Sequence, residues 1–133
     1  MAVAVTDANL PIGVFESGVA GLTVLAALRR HLPGEDFIYL GVIARLPCGT
    51  KSAATVERYA QQAAGALVAR GIKVLVVACN TASATALHTL AEEFAPLPVF
   101  GVVEPGALAA CEIAESSGVT VLATESTIAG GAY

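Results

Sequence analysis

The run Val74-Leu75-Val76-Val77-Ala78-Cys79 restricts what this chain can fold into more than any other stretch. It is far shorter than the ~20 apolar residues of a membrane span, and its β-branched enrichment between Gly71 and Asn80 selects a buried strand over a buried helix. Asn80 or Thr81 can then cap a helix beginning near Ala82, because their short side chains accept hydrogen bonds from first-turn amides. Cys79 is thereby predicted between the C-terminal end of a strand and a helix N-terminus. There the helix dipole favours anions, which lowers a thiol's pKa and can hold a carboxylate or phosphate.

The same pattern recurs along the chain. Pro11-Ile12-Gly13-Val14-Phe15 reads as a first strand running into the polar, glycine-rich turn Glu16-Ser17-Gly18-Val19-Ala20-Gly21. Leu22, Val24, Leu25, Leu28 and Leu32 then recur at helical spacing until Pro33-Gly34. Phe37-Ile38-Tyr39-Leu40 supplies a second strand, and residues 41–52 form a longer connection containing Pro47-Cys48-Gly49-Thr50. Val56, Tyr59, Ala60, Ala63, Ala64, Leu67 and Val68 stripe a helix over 53–70, with Gly71 just past its end.

After the Cys79 strand, Leu87, Leu90 and Phe94 continue the core side of a helix, and residues 98–103 read as a fourth strand. Glu104-Pro105-Gly106 opens another helix, Val119-Thr120-Val121-Leu122-Ala123 reads as a fifth strand, and Thr124-Glu125-Ser126-Thr127 follows it. The expected fold is α/β, a doubly wound, mainly parallel sheet of about five strands with flanking helices and right-handed crossovers. Residues 1–10 are expected to form a loose leader. Residues 11–133 are expected to form one domain, with 128–133 reading as the start of a further connection or second lobe. Ligands bind such sheets at the strands' C-terminal ends. Polar candidates fall there five times: Glu16-Ser17, the Cys48 loop, Cys79-Asn80-Thr81, Glu104 and Thr124-Glu125.

Composition narrows the classes of partner. A net charge of -4 with scattered Lys and Arg argues against nucleic acid as a partner, and the absence of a long apolar window or basic leader argues against the membrane. The protein is expected to be soluble and cytoplasmic. The three cysteines, Cys48, Cys79 and Cys111, form no CxxC pair, so neither a disulfide framework nor a metal site is indicated. Cys111 reads as a small buried hydrophobe, and His88 as a histidine on a helix surface. Apolar residues reach 56% and the mean hydropathy +0.73. Either both sheet faces are covered or apolar surface awaits a partner, a second copy in a homodimer being one.

Ile12-Gly13-Val14-Phe15-Glu16-Ser17-Gly18-Val19-Ala20-Gly21-Leu22 is similar to the opening signature of glutamate racemases, within the aspartate/glutamate racemase superfamily. Three further segments match in family order: Ala44 to Ser52, Val77-Ala78-Cys79-Asn80-Thr81-Ala82-Ser83-Ala84 and Gly101-Val102-Val103-Glu104-Pro105-Gly106-Ala107. The resemblance implies a cofactor-independent isomerase interconverting L- and D-glutamate and supplying D-glutamate for peptidoglycan. It implies Cys79 as one of two thiols that move the α-proton, with Glu16 as the neighbouring carboxylate. It also implies substrate contacts from Glu16, Ser17, Cys48, Gly49, Asn80 and Thr81.

The chain departs from that pattern close to the same site. Glu16 stands for the usual Asp, Ala20 for Gly, Val42-Ile43 for Asp-Thr, and Cys48 for a substrate-contacting Tyr. Members of the family are roughly twice as long and form two lobes, with a second cysteine in a Cys-Thr-His motif. Alone, this chain is therefore expected to racemise glutamate very poorly. Two alternatives follow from these departures: a one-thiol decarboxylase of the same superfamily, which apolar Val42 and Ile43 would suit, and a non-catalytic, self-associating module.

Overall fold

A computed structural model of the chain describes residues 7–43, 48–114 and 118–133, the side chain of Cys48 excepted. Four parallel strands make the sheet: β1 (Ile12–Glu16), β2 (Phe37–Gly41), β3 (Val74–Val77) and β4 (Val99–Gly101). Their order is β2-β1-β3-β4. From β1 the chain reaches the edge through α1 (Gly21–His31), then returns past β1 through α2 (Ala53–Val68) to β3. It continues through α3 (Asn80–Thr85) and α4 (Leu87–Glu93) to β4. The winding direction therefore reverses between β1 and β3, and the C-terminal ends of those two strands flank the crevice where such sheets bind ligands.

Strand side chains alternate between two faces. Phe15, Leu75, Val77 and Cys79 pack with Val56, Ala60, Ala64 and Leu67 of α2 and with Leu90 of α4. Ile12, Val14, Val76 and Ala78 pack under Val24, Leu25 and Leu28 of α1. A Cβ at Gly13 would lie 2.7 Å from Ile72 Cδ1, so that strand position must stay bare for the segment after α2 to close over it. Gly71 makes the turn after α2 with φ +73, a region that residues with a Cβ adopt at a cost.

The expected strands one to four are all present, but the fifth is not. Residues 118–124 carry no regular structure, and Leu122 is 92% exposed. β-branched composition favours a strand only where a partner supplies hydrogen bonds and packing, and among the described residues this segment has no strand partner. Among the described residues the sheet therefore has four strands and β4 is an edge.

Part of the apolar excess lies on the surface around that edge. Phe100 is 58% exposed, and an apolar groove of about 480 Å³ between α1 and β4 is lined by Val24, Leu28, Val76, Phe100 and Pro105. In α5 (Val103–Ala114) Val103 is the buried residue, while Leu108 and Ile113 face outward. Cys111, expected to be buried, is exposed for the same reason. His88 lies on the surface as expected, 3.2 Å from Glu92. No described helix is long and apolar enough to cross a membrane.

Leu67 is completely enclosed beneath the sheet, whereas Leu108 is exposed. Leu67→Ala is expected to lower the unfolding free energy by about 2–5 kcal/mol, and Leu108→Ala by less than about 0.5 kcal/mol. Urea denaturation of both variants checks this, and equal midpoints would contradict the packing described.

Candidate active site

Phe15 pairs with Val77, the last residue of β3, and β1 ends one residue later, so the residues that follow the two strands meet. Glu16 is the last residue of β1 and is 6% exposed. Its Oε1 accepts hydrogen bonds from Ser17 N at 2.8 Å and Ser17 Oγ at 3.0 Å. Ser17 Oγ also lies 3.3 Å from Cys79 Sγ. A hydroxyl has one proton; with that proton on Glu16, its lone pairs are left to accept the thiol S–H. Carboxylate, hydroxyl and thiol thus form one hydrogen-bonded line across the sheet end.

The helix after β3 begins earlier than expected. Cys79 itself is the N-cap of α3, with φ -79 and ψ 120, and its Sγ accepts from Ala82 N at 3.5 Å. The thiol occupies the place that Asn80 or Thr81 was expected to fill with an oxygen. An amide N–H directed at sulfur, beside the positive end of a helix, favours the thiolate over the thiol. Cys79 is 3% exposed, and burial opposes the charged form, so these two contacts act against a desolvation cost.

The remaining expected contacts surround this line. Asn80 is exposed at the first position of α3, and its Oδ1 accepts from Tyr133 Oη at 2.6 Å. Thr81 does not present its hydroxyl to solvent. That group bonds the exposed Thr124 at 3.2 Å and the buried Thr127 at 3.0 Å, while Thr124 and Thr127 are 2.9 Å apart. Gly49 lies in the 3-10 turn Cys48–Thr50, where a Cβ would fall 2.4 Å from Thr124 Cγ2. Ser126 Oγ, in α6 (Glu125–Ala129), reaches the carbonyl oxygens of Gly49 at 2.9 Å and Lys51 at 2.8 Å. The segment 124–133 therefore ties the Gly49 turn to the start of α3.

Other candidates separate from this group. The Cys48 side chain lies outside the described residues. Glu104 is exposed in the first turn of α5, and Glu125 lines a different cleft with Lys51 and Thr85. Val42 is half-buried against the α2 core and donates its N–H to the Glu16 carbonyl at 2.8 Å, while Ile43 is exposed. Burial, and after it the charge of Glu16, push the Tyr39 phenol above its ordinary pKa of 10.0, so Tyr39 stays neutral beside the site. Ser83, Thr127 and Tyr133 were not expected to matter. Ser83 Oγ donates to the Val77 carbonyl at 2.8 Å and accepts from Val102 N at 3.2 Å, joining the ends of β3 and β4. The spacing of Thr124 and Thr127 is that of an N-cap and was readable; nothing in the sequence signals Tyr133.

Comparison with known proteins places this geometry in context. The family described as Asp/Glu/Hydantoin racemase matches residues 12–133. The chain is 54% identical over 127 residues to a glutamate racemase of Thermus thermophilus, covering 96% of this chain and 48% of that protein. The solved structure of glutamate racemase from Aquifex pyrophilus superposes with a TM-score of 0.88 at 45% identity, covering 93% of this chain and 49% of the other. The enzyme from Francisella tularensis, solved in complex with D-glutamate, gives 0.86 at 43% identity, covering 94% and 46%. The chain spans about half the length of the relatives it matches.

Gly21 offers a direct test of the crevice. A Cβ there would lie 2.6 Å from Glu16 Cβ and 3.1 Å from Ala78 Cβ, contacts that only a shift of β1 or α1 can relieve. On helix propensity alone Gly21→Ala would stabilise by about 1 kcal/mol. The expected result is instead a loss of about 1–3 kcal/mol in urea denaturation, the usual cost of overpacking. A gain in stability would show that α1 does not press on Glu16.

Proposed function

Because the chain belongs to the Asp/Glu/Hydantoin racemase family, we propose that it carries one half of the catalytic site of a cofactor-independent glutamate racemase. The observation that carries this reading is the line from Glu16 through Ser17 to Cys79 at the crevice between β1 and β3. In the proposed reaction the Cys79 proton passes to Ser17 Oγ as the Ser17 proton passes to Glu16, leaving a thiolate and a neutral carboxyl. The thiolate removes the α-proton of glutamate from one face. The electron pair left on the α-carbon delocalises into the adjacent carboxylate, and donors at the start of α3 oppose that build-up of charge. Asn80 and Gly49 are assigned to the substrate's polar groups, with Thr81 holding the start of α3 in place.

The thiol can exchange its proton with solvent and return one to the face it came from. Inversion requires a donor on the opposite face, and we assign that donor to the part of the whole protein that corresponds to the relatives' remaining length. The departure at position 16 is compatible with this role. The extra methylene of Glu16 lets the carboxylate fold back over its own neighbour, where it engages both the N–H and the hydroxyl of Ser17.

Incubation of the chain with L-glutamate in heavy water, followed by mass spectrometry and polarimetry, tests the assignment. The expected outcome is deuterium at the α-carbon with little loss of optical rotation, and at least about 10²-fold slower exchange for Cys79→Ser. Exchange that survives the substitution would remove Cys79 from the mechanism. Rapid racemisation by the chain alone would overturn the need for a second half.

A second property is favoured by the uncovered surface around β4, α5 and residues 118–124. Self-association into a homodimer would cover Phe100, Ile113 and Leu122, all exposed in the single chain. Sedimentation equilibrium is expected to show a dimer at micromolar concentration, and a strictly monomeric, non-aggregating chain would refute it.

A further inference from the structure

We propose that Tyr133 is a positioning residue that fixes the orientation of the Asn80 carboxamide, so that Asn80 presents hydrogen-bond donors to the crevice and selects a carboxylate. The proposal rests on the reading of the crevice as the glutamate site. Asn80 directly follows Cys79 and is exposed, so its side chain is placed to meet a ligand beside the thiol. A carboxamide has two ends of nearly equal shape and opposite hydrogen-bonding sense. Unrestrained, it can turn its oxygen to an ammonium group or its NH₂ to a carboxylate. Tyr133 Oη donates to the oxygen end at 2.6 Å, and among the described residues the Nδ2 end has no partner. With the oxygen engaged, the two N–H donors remain for the ligand, and the side chain acts as a donor only.

The phenol can impose this because the segment carrying it is held at several points. Thr124 and Thr127 bond the buried Thr81 hydroxyl, the residue next to Asn80. Ser126 bonds the carbonyls of Gly49 and Lys51. Residues 124–127 are thus fixed relative to both Asn80 and Gly49, and the chain needs only six more residues to bring Tyr133 over the amide. Since Tyr133 touches Asn80 and is assigned no contact with the substrate, its effect passes through the amide.

Tyr133→Phe removes the hydroxyl and keeps the ring. In ¹⁵N-labelled protein the Asn80 side-chain NH₂ resonances are expected to move, with the melting temperature unchanged. Titration with D-glutamate, its α-amide and its γ-amide then reads selectivity. Glutamate affinity is expected to fall roughly three- to tenfold, the range for loss of one net hydrogen bond. Affinity for the amide that replaces the carboxylate facing Asn80 should hold, so the preference for glutamate over that amide narrows by the same factor. Equal weakening toward all three ligands would mean lost packing and would overturn the proposal, as would unmoved Asn80 resonances. If the unaltered chain binds none of the three, the glutamate-site reading fails, and the selectivity proposal falls with it. Shifted Asn80 resonances in that case would show that the phenol–amide bond itself is correctly placed, which separates the two failures.

Discussion

The parallel pairing of β1 with β3 is the contact on which the rest of the molecule depends. These strands are not consecutive; β2 and two helices intervene, so their register is set by tertiary packing rather than by a turn. Leu75 and Val77 with Phe15 bury one face under α2, and Val14 with Val76 buries the other under α1. A slip of one residue would exchange the two faces and expose both sets. The same register that satisfies the core brings Glu16, Ser17 and Cys79 to one level. Site geometry here is a consequence of core packing.

Polar closure at the sheet end follows a similar economy of elements. Ser83 ties β3 to the residue after β4, and the hydroxyls of Thr81, Thr124 and Thr127 bond one another. No described buried side-chain N or O atom lacks a partner. Such a network is rigid because breaking one bond leaves a buried group unpaired, at a cost larger than the bond's net contribution. The site is thus braced on its polar side by segment 124–133 and on its apolar side by α2. The face between α1 and β4 has no such cover, which is where the high apolar content appears as exposed surface.

What was readable in the sequence divides along the same physical line. The four sheet strands and the helices between them follow from local signals: short β-branched runs, helical stripes, and glycines where the chain turns or packs closely. Glu16, Ser17 and Cys79 were legible as strand-end residues, and the family resemblance named them together. Val119–Ala123 has the composition of a strand, yet being one depends on a neighbour, and composition does not carry that information. The cap of α3 falls on Cys79 rather than on Asn80 or Thr81, a position that local preference for oxygen caps does not predict. The burial of the Thr81 hydroxyl and the approach of Tyr133 depend on contacts spanning 46 and 53 residues. Local pattern cannot anticipate those distances.

The hydrogen-bonded line also bears on why a buried carboxylate is useful beside a buried thiol. Creating an isolated thiolate in the crevice would carry a large desolvation cost. A thiolate formed by sending its proton through Ser17 to Glu16 leaves the total charge of the site unchanged: a negative charge disappears at one end as another appears at the sulfur. The transfer therefore creates no net charge, and its cost is the intrinsic difference in acidity between a thiol and a carboxyl, about 4 pK units, adjusted by the two environments. At the carboxylate end, Ser17 N and Oγ stabilise the charge, while Tyr39 is held neutral beside it. At the thiol end, the Ala82 N–H and the start of α3 stabilise it. The single hydroxyl of Ser17 is the connection through which either group can influence the other.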